Sequence, residues 1–258
     1  MKHSEQPVVV FDSGLGGISV LKKLVKEMPN ESFIYYGDSA NAPYGPKDPC
    51  EVRRLTVESI ARLDVFQPKA IVIACNTATA AAQGALEEAH PCIPVIGIEP
   101  AVQRALQAHP GGRILSLATA GTLASPRYQK QLQAVQGLGE VVSVAAPGIV
   151  GYVEGGKQDR GGIIAYLREL LAPWQSTMFH GVVLGCTHFP FAAAEIQEAL
   201  GYPVCFYEQS DTVARETQSR FAQLGITRCE EDRGSVTMMN SANNKEILGF
   251  VWRLFAAV

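Results

Sequence analysis

Eight short apolar runs punctuate the chain, at residues 8–11, 32–36, 70–74, 95–98, 114–118, 141–145, 182–184 and 204–207. Within each run the apolar residues are continuous rather than alternating. That is the pattern of strands covered on both faces, as in a parallel sheet. Longer stretches of helical character separate the runs, at 17–26, 47–66, 79–89, 100–108, 125–135, 161–172, 192–200 and 212–224. Strand–helix alternation of this kind predicts an α/β fold with right-handed crossovers.

The pattern repeats. Ile71-Val-Ile-Ala-Cys75-Asn76-Thr77 aligns with Val182-Val-Leu-Gly-Cys186-Thr187-His188, and the two cysteines are 111 residues apart. A weaker match sets Val9-Val-Phe-Asp12-Ser13-Gly14 against Leu115-Ser-Leu-Ala118-Thr119-Ala120, at an offset near 106. Two matches at nearly one offset predict two pseudo-symmetric α/β lobes with largely parallel sheets. The crossover is placed near Glu99 and Pro100, with residues 210–258 returning to the first lobe. The lobes are then 1–98 plus 210–258, and 99–209. Functional groups of α/β sheets gather at the carboxyl ends of strands. Asp12, Asp38, Cys75, Thr119 and Cys186 each fall one or two residues past an apolar run, so an active site in the cleft between the lobes is expected.

Composition narrows the classes. With 258 residues, 47% hydrophobic and 18% charged, the chain has material for a buried core and is not disordered. The net charge of −3 and the lack of any Lys/Arg cluster argue against a nucleic-acid partner. Residues 1–7 are polar and hold no apolar signal core, and no run reaches the ~18 apolar residues of a membrane helix. A cytoplasmic protein with no membrane partner is expected. The six cysteines show no C-x-x-C spacing, which fits reduced thiols. No ligand pairs recur around them, so no metal is expected.

The strongest chemical signal is the pair Cys75 and Cys186. A free thiol titrates at about 8.5, so a few per cent is already thiolate at neutral pH. Both cysteines are expected at helix N-termini, where N–H groups and the macrodipole favour negative charge. One thiolate can then remove a Cα proton while the opposing thiol delivers one to the other face, inverting the centre. Taken singly, each cysteine reads equally as a small buried hydrophobe; their common strand–helix junction favours chemistry.

Other motifs support several roles. In Asp12-Ser13-Gly14-Leu15-Gly16-Gly17 the glycines permit a tight turn and close backbone approach to an anion. Asp12 could orient a substrate ammonium group or assist the nearby cysteine, and Ser13 could bind a carboxylate. The competing reading is a dinucleotide fingerprint, with Asp38 at the spacing of a ribose-binding acid. Against it, Ser19 stands where the third glycine belongs, and Asp12 would bring a carboxylate close to the pyrophosphate. His188, in a loop, could polarise Cys186 or be structural. Glu154 could orient His188 or be a solvated helix-end carboxylate. Thr119 and Thr122 occupy the repeat's counterpart of the Asp12 loop and could hold a second carboxylate. Asn41-Ala-Pro43-Tyr44-Gly45 is turn chemistry. Cys50, Cys92 and Cys229 are read as structural and Cys205 as core, with Trp174 and Trp252 as packing residues.

These motifs together resemble the glutamate racemases of the aspartate/glutamate racemase superfamily. The resemblance spans nearly the whole chain and rests on Asp12-Ser-Gly-x-Gly-Gly17, Tyr36-Gly-Asp38, Pro43-Tyr-Gly45, Ala74-Cys-Asn-Thr77, Gly97-Ile-Glu-Pro100 and Gly185-Cys-Thr-His188. It implies interconversion of L- and D-glutamate without pyridoxal phosphate or any other cofactor, supplying D-glutamate for peptidoglycan and so for cell shape. It gives Cys75 the D-enantiomer and Cys186 the L-enantiomer, with Asp12, His188 and Glu154 assisting. Substrate contacts carried over are Asp12, Ser13, Tyr44, Gly45, Asn76, Thr77, Thr187 and His188, with Thr119 and Thr122 added. A homodimer is implied. Members activated by a peptidoglycan precursor carry a longer N-terminal extension, so that activation is not expected. Residues 234–244 lack the threonine- and glycine-rich run common in the family, which bears on packing there more than on catalysis. Aspartate or hydantoin racemisation is the near rival, a nucleotide-binding protein the distant one.

Overall fold

A computed structural model describes residues 3–228 and 233–256. Cys229, read above as structural, lies outside them. The chain divides into two compact units, Met1–Ile98 with Ser210–Val258, and Glu99–Gln209.

The first unit begins with β1 (Val8–Asp12), α1 (Ile18–Glu27), β2 (Phe33–Gly37), α2 (Pro49–Leu63), β3 (Ala70–Ile73), α3 (Asn76–Ala89) and β4 (Val95–Gly97). The second follows with α4 (Val102–Ala108), β5 (Arg113–Ala118), α5 (Ala120–Ala124), α6 (Pro126–Ala134), β6 (Glu140–Ala145), α7 (Pro147–Glu154), α8 (Arg160–Leu170), β7 (Gly181–Gly185), α9 (Ala193–Leu200) and β8 (Cys205–Tyr207). The first unit is completed by α10 (Ser210–Leu224), β9 (Val236–Asn240) and α11 (Lys245–Ala256).

All strand pairings are parallel, in the orders β4-β3-β1-β2-β9 and β6-β5-β7-β8. Exchanging each strand for its repeat counterpart turns β4-β3-β1-β2 into β8-β7-β5-β6. The sequence repeat is therefore a repeat of topology, and β9 is an addition at one edge. Every residue of β1, β2, β3 and β7 is buried, as continuous Val/Ile runs require when helices cover both faces. The helices follow local signals. Asp48 caps α2 by accepting from Cys50 N, with Pro49 in the first turn. α1 turns Ile18, Val20, Leu21 and Leu24 inward.

Several features depart from the sequence expectations, which also announced neither the five-residue helix α5 nor the C-terminal helix α11. β9 is a strand that the pattern did not announce, because it is a half-buried edge strand and Thr237 and Asn240 interrupt its apolar run. α7 is eight residues long with two glycines, too short and weakly patterned to stand out. Cys205, expected in the core, is exposed, because β8 is the edge of the second sheet. Trp252, expected to pack, is 44% exposed and makes an edge-on contact with Phe255; on α11 the buried residue is Val251. Cys50 and Cys92 are exposed as well and fill no core.

One polar interaction ties the first unit's separate segments together. Lys69 is fully buried, with its ammonium 2.5 Å from Glu31. It donates to the carbonyls of Ser4 and Ile226, both at 2.8 Å, and lies 5.2 Å from the centre of the Phe221 ring. Glu31 in turn accepts from Arg228 N at 2.9 Å. Removing one partner of a buried ion pair strands the other charge. Lys69→Ala is expected to cost about 3–5 kcal/mol of unfolding free energy in a urea titration. The paired change Lys69→Met with Glu31→Leu should recover most of that loss.

Candidate active site

In the first unit, register does the assembling. Phe11 is level with Tyr36 and with Ile73, so β1, β2 and β3 run out together. Asp12 ends β1, Asp38 follows β2, and Cys75 lies two residues past β3. Cys75 caps α3: its extended backbone turns the chain and its Sγ accepts from Ala78 N at 3.4 Å. The Ser13 hydroxyl is 3.4 Å from the same sulfur. Both residues are buried, at 7% and 6% exposure. A thiolate here would meet a helix N-terminus and a hydroxyl donor, each favouring negative charge.

Asp12 is fully buried, and its Oδ2 accepts from Gly14 N at 2.9 Å. The carboxylate thus occupies the turn that a phosphate would have to enter in a dinucleotide site. A Cβ on Gly17 would lie 2.6 Å from the Asp12 Cβ, so the glycine is what lets the carboxylate sit there. Asp38 is likewise engaged internally. It accepts from the Tyr44 hydroxyl at 2.6 Å and from Asn41 Nδ2 at 3.0 and 3.1 Å. Burial, and then the bond to Asp38, push the Tyr44 hydroxyl far above its ordinary range, so it stays a neutral donor. These contacts already engage both carboxylate oxygens of Asp38, which weighs against a role as a ribose acid. They hold Tyr44 and half-buried Gly45 beside the ends of β1 and β2. Asn76 and Thr77, in the first turn of α3, are 4% and 6% exposed. Both polar atoms of the Asn76 amide are buried without a hydrogen-bond partner. An orphaned buried amide is costly unless a ligand completes it.

The second unit solves the same problem differently. Cys186 comes directly after β7, but an α-helix does not follow. A turn and a short 3₁₀ segment, Phe189–Ala192, intervene before α9. The expected helix N-terminus is therefore missing at this thiol, because Phe189-Pro190-Phe191 tightens the chain. Histidine supplies the polar environment instead. Cys186 Sγ is 3.6 Å from His188 Nδ1, and His188 Nε2 is 2.6 Å from Glu154 Oε1. With Glu154 ionised, Nε2 must be the donor, so Nδ1 faces the thiol. In a neutral ring Nδ1 accepts from the S–H; in a protonated ring it donates to a thiolate.

Glu154 reaches His188 because α7 seats Ile149 and Val153 in the core of the second unit, and the helix stops one residue later. Sequence spacing left that contact open; a buried face of period 3.6 over Ile149 and Val153 is the signal that places it. Thr119 caps α5 through Thr122 N at 3.2 Å, and its hydroxyl donates to the Thr122 hydroxyl at 2.9 Å. Thr119, Thr122 and Thr187 are all buried. Thr79 was missed by sequence reasoning. It bridges the carbonyl of Ile73 and the N–H of Ile98 at 3.2 and 3.1 Å, fixing the strand end that presents Cys75. The sequence-derived residues thus fall into two groups. Asp12, Ser13, Tyr44, Gly45, Cys75, Asn76 and Thr77 lie in the first unit, and Thr119, Thr122, Glu154, Cys186, Thr187 and His188 in the second.

Among the described residues no three His, Cys, Asp or Glu side chains are placed to hold a metal ion, and no helix is long and apolar enough to cross a membrane.

Comparison with known proteins gives one family. The Asp/Glu/Hydantoin racemase model matches residues 11–206. A glutamate racemase of Clostridium perfringens is 40% identical over 242 residues, covering 94% of this chain and 93% of that protein. Among solved structures, a glutamate racemase isoform from Bacillus anthracis superimposes with a TM-score of 0.84 at 30% identity, covering 97% of this chain and 94% of its own. The glutamate racemase of Francisella tularensis, solved in complex with D-glutamate, has a TM-score of 0.84 at 25% identity, covering 98% and 94%.

The Asp12 loop offers a direct test. Gly17→Ala forces a methyl group against Asp12, an overpacking expected to cost about 1–3 kcal/mol in calorimetric unfolding. It should also weaken hydrogen-exchange protection at the Gly14 amide, which Asp12 now holds.

Proposed function

This chain belongs to the Asp/Glu/Hydantoin racemase family and is an amino-acid racemase, and from that premise we propose that it interconverts L- and D-glutamate by two-thiol proton transfer. The observation that carries the reading is the pair of thiols at equivalent strand ends, each with its own polar partner.

The chemistry asks for three things. The Cα–H bond of an amino acid is weakly acidic, so the α-carboxylate must accept charge as the proton leaves. Donors aimed at it lower that barrier. Ser13, Asn76 and Thr77 are such donors, and the Asn76 amide still lacks its partners. Asp12 supplies a carboxylate for the ammonium group. Tyr44, Gly45, Thr119, Thr122 and Thr187 line the remainder and take the side-chain carboxylate.

A base must stand on one face of Cα and an acid on the other. With L-glutamate, Cys186 removes the proton as thiolate and Cys75 delivers one as thiol; with D-glutamate the roles reverse. His188 receives the Cys186 proton at Nδ1 and returns it, while Glu154 stabilises the imidazolium through Nε2. Asp12 and Ser13 serve the Cys75 side. The electron pair of the broken C–H bond stays on the substrate carbon and its carboxylate until the second proton arrives. No cofactor enters this scheme.

Water must also be excluded, and closure over the substrate accomplishes that. The enzyme works in the cytoplasm as a homodimer, and its D-glutamate feeds peptidoglycan.

Cys75→Ala and Cys186→Ala are each expected to abolish racemisation followed in heavy water; near-normal turnover by either would sink the two-thiol scheme. Glutamate and aspartate assayed side by side test the substrate, and faster turnover of aspartate would overturn it. Glu154→Gln should retain binding but slow turnover by roughly 10²-fold, in line with the loss of an acid–base partner.

A further inference from the structure

Helix α7 ends on the residue that orients His188, and a buried acid on another helix grips that end. Glu195, in the first turn of α9, is 3% exposed. Its Oε1 accepts from the Tyr152 hydroxyl at 3.1 Å and lies 3.5 Å from both Lys157 Nζ and Arg160 Nε. These three partners bracket Glu154. Tyr152 precedes it by two residues on α7, while Lys157 and Arg160 follow it in the turn into α8. Lys157 Nζ also sits 6.0 Å from the centre of the Tyr152 ring.

The turn so gripped is a demanding one. Gly156 and Lys157 both take left-handed backbone, at φ +76° and +62°. That region is costly for lysine and persists when surrounding contacts impose it. Glu195 supplies such a contact. A carboxylate buried on α9 is itself unfavourable unless paired, and its partners all belong to the end of α7 and the start of α8.

The chain path makes a closed circuit. Cys186 and His188 lead through Phe189–Ala192 into α9, so Glu195 lies downstream of the thiol–imidazole pair on the same segment. Ile149 and Val153 of α7 share one core with Phe189, Ala192 and Ile196. Glu195 then joins the far end of that segment back to the helix carrying Glu154.

We propose that Glu195 is a positioning residue for proton transfer at Cys186. Through Tyr152, Lys157 and Arg160 it fixes the carboxyl end of α7, which sets the Glu154 carboxylate on His188 and the imidazole on the thiol. It touches neither thiol nor substrate. The assignment rests on the two-thiol reading above.

The test separates the two thiols. The equilibrium between enantiomers ties the two directions together, so kcat/KM falls equally in both whichever thiol is impaired. The α-deuterium isotope effect is not so tied. Slowing transfer at Cys186 makes proton removal from L-glutamate more limiting and raises the isotope effect with that enantiomer. With D-glutamate, removal at Cys75 becomes less limiting and the isotope effect falls.

Tyr152→Phe, Glu195→Gln and Glu154→Gln are compared with Tyr128→Phe, which removes buried hydroxyl bonds to Ser116 and Ser143 elsewhere in the unit. Tyr152→Phe and Glu195→Gln should lower kcat/KM by roughly ten- to hundredfold, as a small misplacement does. Both should split the isotope effects as Glu154→Gln does, and Tyr128→Phe should leave them as in the parent. Tyr152→Phe keeps the ring packed and decides the matter if Glu195→Gln fails to fold. Isotope effects split by Glu154→Gln, but by neither Tyr152→Phe nor Glu195→Gln, would overturn the role of Glu195 alone. If Glu154→Gln leaves them unsplit, the assistance of Glu154 and His188 at Cys186 fails and the role of Glu195 falls with it, whereas the two-thiol scheme itself fails only if Cys75→Ala or Cys186→Ala keeps near-normal turnover.

Discussion

Parallel strands in step end in step, and the functional groups depend on that constraint. In the first sheet one level of the register runs through Phe11, Tyr36 and Ile73. In the second it runs through Ala118, Ala145 and Gly185. Whatever follows those residues emerges on one rim of its own sheet. A slip of one residue in β3 would send Cys75 to the other face and separate it from Ser13. The continuous burial of β1 and β3 guards against such a slip, because every side chain of both strands is already packed.

On the rims, identical side chains receive unlike surroundings. Cys75 relies on backbone: a fourteen-residue helix begins at its sulfur. Cys186 has no such helix and relies on an imidazole backed by a carboxylate. A helix N-terminus is a fixed partial charge that cannot take up a proton. An imidazole can change its protonation together with the thiol. The two halves of a duplicated fold thus surround equivalent thiols differently, with a helix N-terminus on one side and an imidazole–carboxylate pair on the other.

Much of this was legible in the sequence. Eight strands announced themselves as unbroken apolar runs, and the matching cysteines exposed the duplication. The Asp12 loop and the Cys-x-His segment stood at strand ends, where chemistry collects. What stayed hidden was governed by tertiary context. β9 is paired on one side and half wet, so its residues carry no clean period. The exposure of Cys205 follows from β8 having no outer neighbour, which the composition of β8 does not encode. The bond between Glu154 and His188 joins residues 34 positions apart and depends on where a short helix stops. Nothing in the sequence singles out Glu195, whose burial comes from tertiary contacts with Tyr152, Lys157 and Arg160.

The buried ammonium of Lys69 has a temporal side. Its acceptors include a carbonyl near the start of the chain, at Ser4, and one at Ile226, beyond the whole second unit. A ribosome delivers β1 to β4 early, together with Ser4 and Glu31, yet the Ile226 carbonyl and the Phe221 ring that complete this charge's surroundings arrive last. The second unit, Glu99–Gln209, is contiguous and has all its strands before α10 is made. The unit that begins the chain is therefore the one that waits. Until its final segment docks, the Lys69–Glu31 pair lacks the Ile226 carbonyl, the Phe221 ring and the Arg228 amide that enclose it, and the sheet has an open edge along β2.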